Sequence, residues 1–151
     1  MNATDLIALF AQRAGLPALQ LSPQGTAAVQ VDEQLTLNLE HDSSARRLVA
    51  YCVVGEVPAS GRESLFARLL EANLFARETG GGSLGLDRER NELVLSRVLE
   101  LDSTDDQAFE AALEQLVDSA IALREPLSAP EFAFDATVPA AMPAFPGALR
   151  A

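Results

Sequence analysis

The apolar positions change period along the chain, and each change marks an element. Leu6, Ile7, Phe10, Ala11 and Ala14 recur at helical spacing behind Thr4, a candidate N-cap, with Asp5 favourably placed in the first turn. Gly15 and Pro17 stop this first helix. From Thr26 onward the period becomes two. Leu35, Leu37 and Leu39 alternate with Gln34, Thr36, Asn38 and Glu40, as in a strand with one wet face. Leu48 to Val54 is apolar on both parities, which suits a central strand covered on both sides. With Asp32-Glu33 and Asp42-Ser43-Ser44 as turns, the economical arrangement is a three-stranded antiparallel meander.

Ser60-Gly61-Arg62-Glu63 has the form of a capping box, so a second helix is predicted there. It runs through Leu65, Phe66, Leu69, Leu70 and Leu74 to the cluster Gly80-Gly81-Gly82, which is expected to act as C-cap and hinge. Two strands follow, Ser83 to Asp87 and Glu92 to Leu101, joined by the polar turn Arg88-Glu89-Arg90-Asn91. Thr104-Asp105-Asp106-Gln107 is a second capping box before a long stripe of Phe109, Leu113, Leu116, Val117, Ala120 and Leu123, which Pro126 should end. From about Ser128, Pro130, Pro139, Pro143 and Pro146 sit among Ala, Phe and Gly without either period, which predicts a tail and not an element. Its Phe132, Phe134, Met142 and Phe145 are more than a neutral linker needs and suit a groove of this or a neighbouring molecule. The expected organisation is an α+β domain over residues 1–127, in the order helix, three strands, helix, two strands, helix, followed by a Pro/Ala-rich tail over 128–151.

On a helical wheel Leu65, Leu69, Asn73, Phe66, Leu70 and Leu74 cover an arc of roughly 180°, wider than the roughly 100° stripe of a helix packed on one side. The second helix therefore has two apolar neighbours: another copy of the chain, or the first and last helices of the same copy. Asn73 lies inside the arc, where a buried amide without partners costs about 1–3 kcal/mol. It either fixes register at an interface or bonds to nearby backbone where the helix frays.

Charge narrows the function. Among 151 residues, 11 basic against 22 acidic side chains leave −11, and every basic residue is Arg. Without Lys there is no P-loop or Schiff-base lysine, and without a basic field nucleic acid is not an expected partner. At 48% hydrophobic the composition is that of a globular chain, yet no apolar run approaches a membrane span, and the N-terminus has no secretory signal pattern. A cytoplasmic protein with no membrane partner is expected. One Cys and one His exclude an intramolecular disulfide and argue against a Cys/His metal site.

Catalysis finds little to work with. His41 beside Asp42 could orient a base, but no nucleophile is tied to the pair by spacing. Cys52 falls in the most apolar strand, where a thiol is an inert small hydrophobe. The glycine run follows a helix and opens a strand, the reverse of a phosphate-cradling loop. No enzyme activity and no cofactor are expected.

Three runs carry a family resemblance: Leu69-Leu70-Glu71-Ala72-Asn73-Leu74-Phe75, then Gly80-Gly81-Gly82-Ser83-Leu84-Gly85-Leu86-Asp87, then Leu93-Val94-Leu95-Ser96. With the order of elements, the size and the acidity, they resemble the class I type III secretion chaperones, the Tir-chaperone-like family, over about residues 1–127. Leu123-Arg124 stands where many members carry an aromatic before the Arg, and the tail lies outside the pattern.

The resemblance implies a non-enzymatic, ATP-independent homodimer that binds the N-terminal segment of a secreted effector in the bacterial cytoplasm, keeping it soluble and secretion-competent. The secretion-apparatus ATPase is a further implied partner. It places Leu65, Phe66, Leu69, Leu70, Asn73, Leu74, Leu84 and Leu86 at the dimer interface. Candidates for effector binding are Leu6, Ile7 and Phe10 of the first helix and Val29, Val31, Leu35 and Leu37 of the strands beside it. The alternative is a binding module of the same fold that sequesters a regulator of secretion or transcription. An unfolded guest gives up ordering entropy, so its affinity comes from a large surface supplied by strand addition and apolar pockets. The acidic charge keeps such a surface soluble and favours basic guests.

Overall fold

The computed structural model describes residues 2–128, and the expected tail, Ser128 apart, lies outside them. Three helices, α1 (Ala3–Arg13), α2 (Arg62–Asn73) and α3 (Asp106–Ser128), accompany five strands: β1 (Thr26–Asp32), β2 (Leu35–Asp42), β3 (Arg47–Glu56), β4 (Ser83–Asp87) and β5 (Glu92–Glu100). The α+β class and the predicted order of elements are those observed. All pairings are antiparallel, and the order β1-β2-β3-β5-β4 joins the meander and the later hairpin into one sheet with β1 and β4 at its edges.

One face of that sheet is the core. Leu35, Leu37 and Leu39 of β2, Leu48, Ala50, Cys52 and Val54 of β3 and Leu93, Leu95 and Leu99 of β5 are buried under Leu6 and Ile7 of α1 and Phe109, Leu113 and Leu116 of α3. Phe10 meets Phe109 edge to face at 6.1 Å, the arrangement that suits the ring quadrupoles, and locks α1 to α3. The Arg13 guanidinium ties the same two helices through Asp106 and through Glu110 at 3.1 Å.

The other face of β3 corrects an expectation. Val49, Tyr51 and Val53 are only half-buried, so β3 is not covered on both sides. Cross-strand pairs Val49–Val98 and Val53–Val94 shelter one another, which explains apolar residues on a face with an open cavity of about 240 Å³.

The caps differ from those predicted. The side chain of Asn2, not Thr4, accepts the Asp5 N–H at 2.9 Å, and that of Asp105, not Thr104, accepts the Ala108 N–H at 2.8 Å. Thr104 instead donates to the Glu100 carbonyl at 2.7 Å. The Ser60/Glu63 box does not form, because α2 begins after Gly61 at φ 71° with no side-chain cap. Pro126 does not end α3. The helix continues to Ser128, and Leu127 is buried in the core, which offsets the missing N–H.

Helix α2 stops at Asn73, well short of the glycine cluster, and Leu74–Ala76 form a 3-10 turn with Phe75 and Ala76 at φ 55° and 52°. The glycines are therefore neither its cap nor a hinge. A Cβ on Gly80 would lie 2.5 Å from the Gln115 carbonyl oxygen and one on Gly82 2.5 Å from that of Ser96, so this loop is pressed against α3 and β5. The Arg97 guanidinium holds it, donating to the Gly80 carbonyl at 2.8 Å and the Gln115 side chain at 3.0 Å.

Candidate functional site

A groove of about 490 Å³ opens between the β1 side of the sheet and the helices α1 and α3. Phe10 of α1, Leu16, Val29 and Val31 of β1, and Leu113 and Val117 of α3 make its apolar walls, with Leu37 beneath and Glu114 and Asp118 at the acidic rim. A bulge between Gln30 and Asp32 interrupts the ladder at Val31, which is exposed and lines this space. At one end the Arg124 guanidinium donates to both Asp32 carboxylate oxygens at 3.2 Å and to the Gln34 side chain at 2.8 Å. The Asp32 carboxyl is held below the usual carboxylate range, first by the Gln34 backbone N–H and then by Arg124.

Of the seven predicted effector-binding residues, Phe10, Val29, Val31 and Leu37 come together here. The other three do not. Leu6, Ile7 and Leu35 are each 1% exposed, packed in the core as the inward residues of α1 and β2, and offer no surface to a guest. The sequence reading missed Leu16, Leu113 and Val117. Leu113 and Val117 stand four apart on the α3 stripe, a spacing that marks one helix face but not which part of it the sheet leaves bare.

The β1 edge beside the groove is available for pairing. Thr26 turns its N–H and C=O outward, where the Ser22 hydroxyl and N–H take them at 3.1 and 2.7 Å. By strand alternation Ala28 and Gln30 also face outward, and among the described residues no strand lies beyond them.

The predicted dimer residues split into two sets. Leu65, Leu69 and Leu84 are buried within the chain, and Phe66 is half-buried. Leu70 is 72% exposed, and Leu74, Phe75 and Leu86 are exposed with it. The 180° arc on α2 is thus covered on only one side by its own chain. Asn73 is satisfied inside the chain: its amide donates to the Leu84 carbonyl at 3.0 Å and accepts the Leu84 N–H at 2.7 Å. The bond reaches across eleven residues to β4, so it is not the local bond of a fraying helix end.

Asp42 is held by its own turn. The Asp42 carboxylate accepts from the Ser44 hydroxyl at 2.6 Å and from the Ser44 and Ala45 backbone, and pairs with Arg47 at 3.2 Å. Burial pushes the Cys52 thiol up to about 11, well away from a reactive thiolate.

Residues 5–124 match the Tir chaperone protein (CesT) family. The chain belongs to that family. On this Tir chaperone fold two of the three runs that carried the resemblance, the end of α2 and the start of β4, are the two ends of the Asn73–Leu84 clamp. Among curated proteins the chain is 29% identical over 93 residues to the protein CPj0713/CpB0740 of Chlamydia pneumoniae, covering 61% of this chain and 72% of that one. Among solved structures it resembles a chain of the ExsC–ExsE complex with a TM-score of 0.71 and 27% identity, covering 87% of this chain and all of that one. It also resembles a chain in the structure of the Yersinia pestis type III secretion chaperone SycH in complex with a stable fragment of YscM2, with a TM-score of 0.62 and 25% identity over 80% of this chain and 98% of that one. No helix among the described residues is long and apolar enough to cross a membrane.

Proposed function

We propose that this chain is a type III secretion chaperone that binds the N-terminal segment of a secreted effector in the cytoplasm, working as a homodimer and without catalysis. The groove beside the open β1 edge carries this reading. It offers apolar pockets and outward backbone groups side by side, the pair of contacts that an extended guest requires. Family membership and the likeness to a chaperone solved with a fragment of its partner support it. Homodimerisation is supported by the exposed Leu70 of α2, with Leu74 of the following turn and Leu86 of β4 exposed beside it. The acidic rim of Glu114 and Asp118, part of the overall −11, favours a basic guest.

The test is co-expression with a candidate effector drawn from its gene neighbourhood. A complex of two chaperones to one effector is expected, lost on deleting the effector's N-terminal region and weakened by Val31→Asp in the groove wall. Capture that survives both changes, or capture of an intact regulator alone, overturns the proposal.

A further inference from the structure

The groove has a candidate occupant in the chain itself. Between Pro130 and Pro139 runs Glu131-Phe132-Ala133-Phe134-Asp135-Ala136-Thr137-Val138, the longest stretch without proline after Pro130 until that point, and unlike the tail as a whole it alternates. Phe132, Phe134, Ala136 and Val138 share one parity, while Glu131, Asp135 and Thr137 share the other, as in a strand with one apolar face. Its length is close to that of the seven-residue β1. The flanking prolines cannot donate to a ladder and so delimit it.

The direction suits it. The described chain leaves α3 at Ser128, about one helical turn beyond Arg124. Arg124 grips Asp32 at the C-terminal end of β1. From Leu113 to Arg124, α3 passes from the groove wall to that end, so α3 and β1 advance in the same direction. A chain that reverses after Ser128 and follows the open edge runs back antiparallel to β1.

We propose that residues 131–138 add to this edge as a sixth strand, with Phe132 and Phe134 in the groove between β1 and α3, so that the chain fills its own guest site until a guest displaces it. Ala28 and Gln30 supply the outward backbone groups. The acidic parity faces away from Glu114 and Asp118, which a charged segment lying the other way would oppose. The displacement half of this proposal rests on the function proposed above; the docking half does not.

Backbone amide exchange on the full chain, with no guest present, tests the docking. Amides of Ala28, Gln30 and residues 131–138 should exchange at least about tenfold more slowly than in the Phe132→Asp/Phe134→Asp variant. Ala28→Pro removes an edge donor at a position where an edge strand tolerates proline, and should likewise release residues 131–138. Cys52 and Leu95 in the core should stay protected in both variants. Equal exchange at Ala28 and Gln30 with and without the two phenylalanines overturns the docking. So does a disulfide between Val29→Cys and Phe134→Cys that joins two chains on a non-reducing gel, since the occupant is then a second copy. For displacement, a segment docked about nine-tenths of the time lowers apparent guest affinity about tenfold, and Phe132→Asp/Phe134→Asp should restore it. Unchanged guest affinity overturns the displacement half. Slow exchange of 131–138 in a chain that captures no effector upholds the docking while the chaperone reading fails.

Discussion

Replacing Asn73 by Ala separates two accounts of the most specific motif in the chain. The side-chain amide makes two bonds to Leu84, at 3.0 and 2.7 Å, and the substitution leaves the Leu84 N–H and C=O without them. A buried orphaned polar group costs about 1–3 kcal/mol. Leu84 is buried but sits on an edge strand, where water reaches the vacated space, so the lower figure applies to each group and the loss is about 2 kcal/mol. With a urea slope of about 2 kcal/mol/M for a chain of this size, the unfolding midpoint should fall by about 1 M. Dilution adds the discrimination. A dimer's stability depends on protomer concentration, so a residue that sets register between copies gives a deficit that changes over a tenfold dilution. A clamp within one chain gives the same deficit at both concentrations. A midpoint within about 0.2 M of the parent, or a deficit that changes on dilution, would refute the assignment of Asn73 to the β4 clamp.

Three further outcomes follow from the packing and the charges. Leu70→Asp places a charge at the most exposed apolar position of α2 and should convert the proposed dimer to monomer in light scattering without lowering helix content; an unchanged dimer means that copies meet elsewhere. Cys52, raised to about 11 by burial, should carry on the order of one thiolate in a thousand at pH 8 and resist a thiol reagent until the chain is unfolded; rapid labelling of the native protein would contradict its burial. Glu78, Asp102 and Asp106 are held low chiefly by Arg68, Arg46 and Arg13, Asp42 by the Ser44 hydroxyl and Asp32 by the Gln34 N–H. Folded carboxylates below their unfolded values stabilise fully above the ordinary range near pH 4 and lose that contribution as pH falls through the folded values. The urea midpoint should therefore not fall between pH 7 and 5 and should decline below about pH 4; a midpoint that climbs steadily to pH 3 would show that relief of acidic repulsion dominates instead.

The strands were legible because alternation along β2 and the polar turns at Asp32, Asp42 and Asp87 are local signals, and each of these aspartates accepts a backbone N–H in its turn. Helix starts were less so. Near the starts of α1 and α3 there are several side chains able to cap, and Asn2 and Asp105 serve where Thr4 and Thr104 fit the motif as well. Pro126 and the glycine cluster were misread for one reason. Burial of Leu127 and the approach of Gly80 to α3 are tertiary facts that override local rules. The site was half legible: period told which residues of α1, β1 and β2 were apolar, but only the shape of the sheet separates Val29 and Val31 in the groove from Leu6, Ile7 and Leu35 in the core.

The two edges of the sheet are treated unequally, and that inequality suits them to the different partners of the function proposed above. An edge strand is a template for pairing unless something blunts it. At β4 the Leu84 groups are taken by Asn73, and with five residues in the strand only Leu86 is left turned outward on that side. One position cannot hold a strand in register, so what remains at that edge is side-chain surface: Leu70, Leu74, Phe75 and Leu86, suited to packing against an equally rigid copy. At β1 the bulge disturbs only the Asp32 end, and Ala28 and Gln30 remain in line beside an apolar groove. Backbone pairing tolerates many sequences and pocket contacts demand few residues, which is what an edge serving an unstructured segment needs. The Asn73 clamp thus blunts β4 against the strand addition that β1 invites, and its loss should let a guest strand add at either edge.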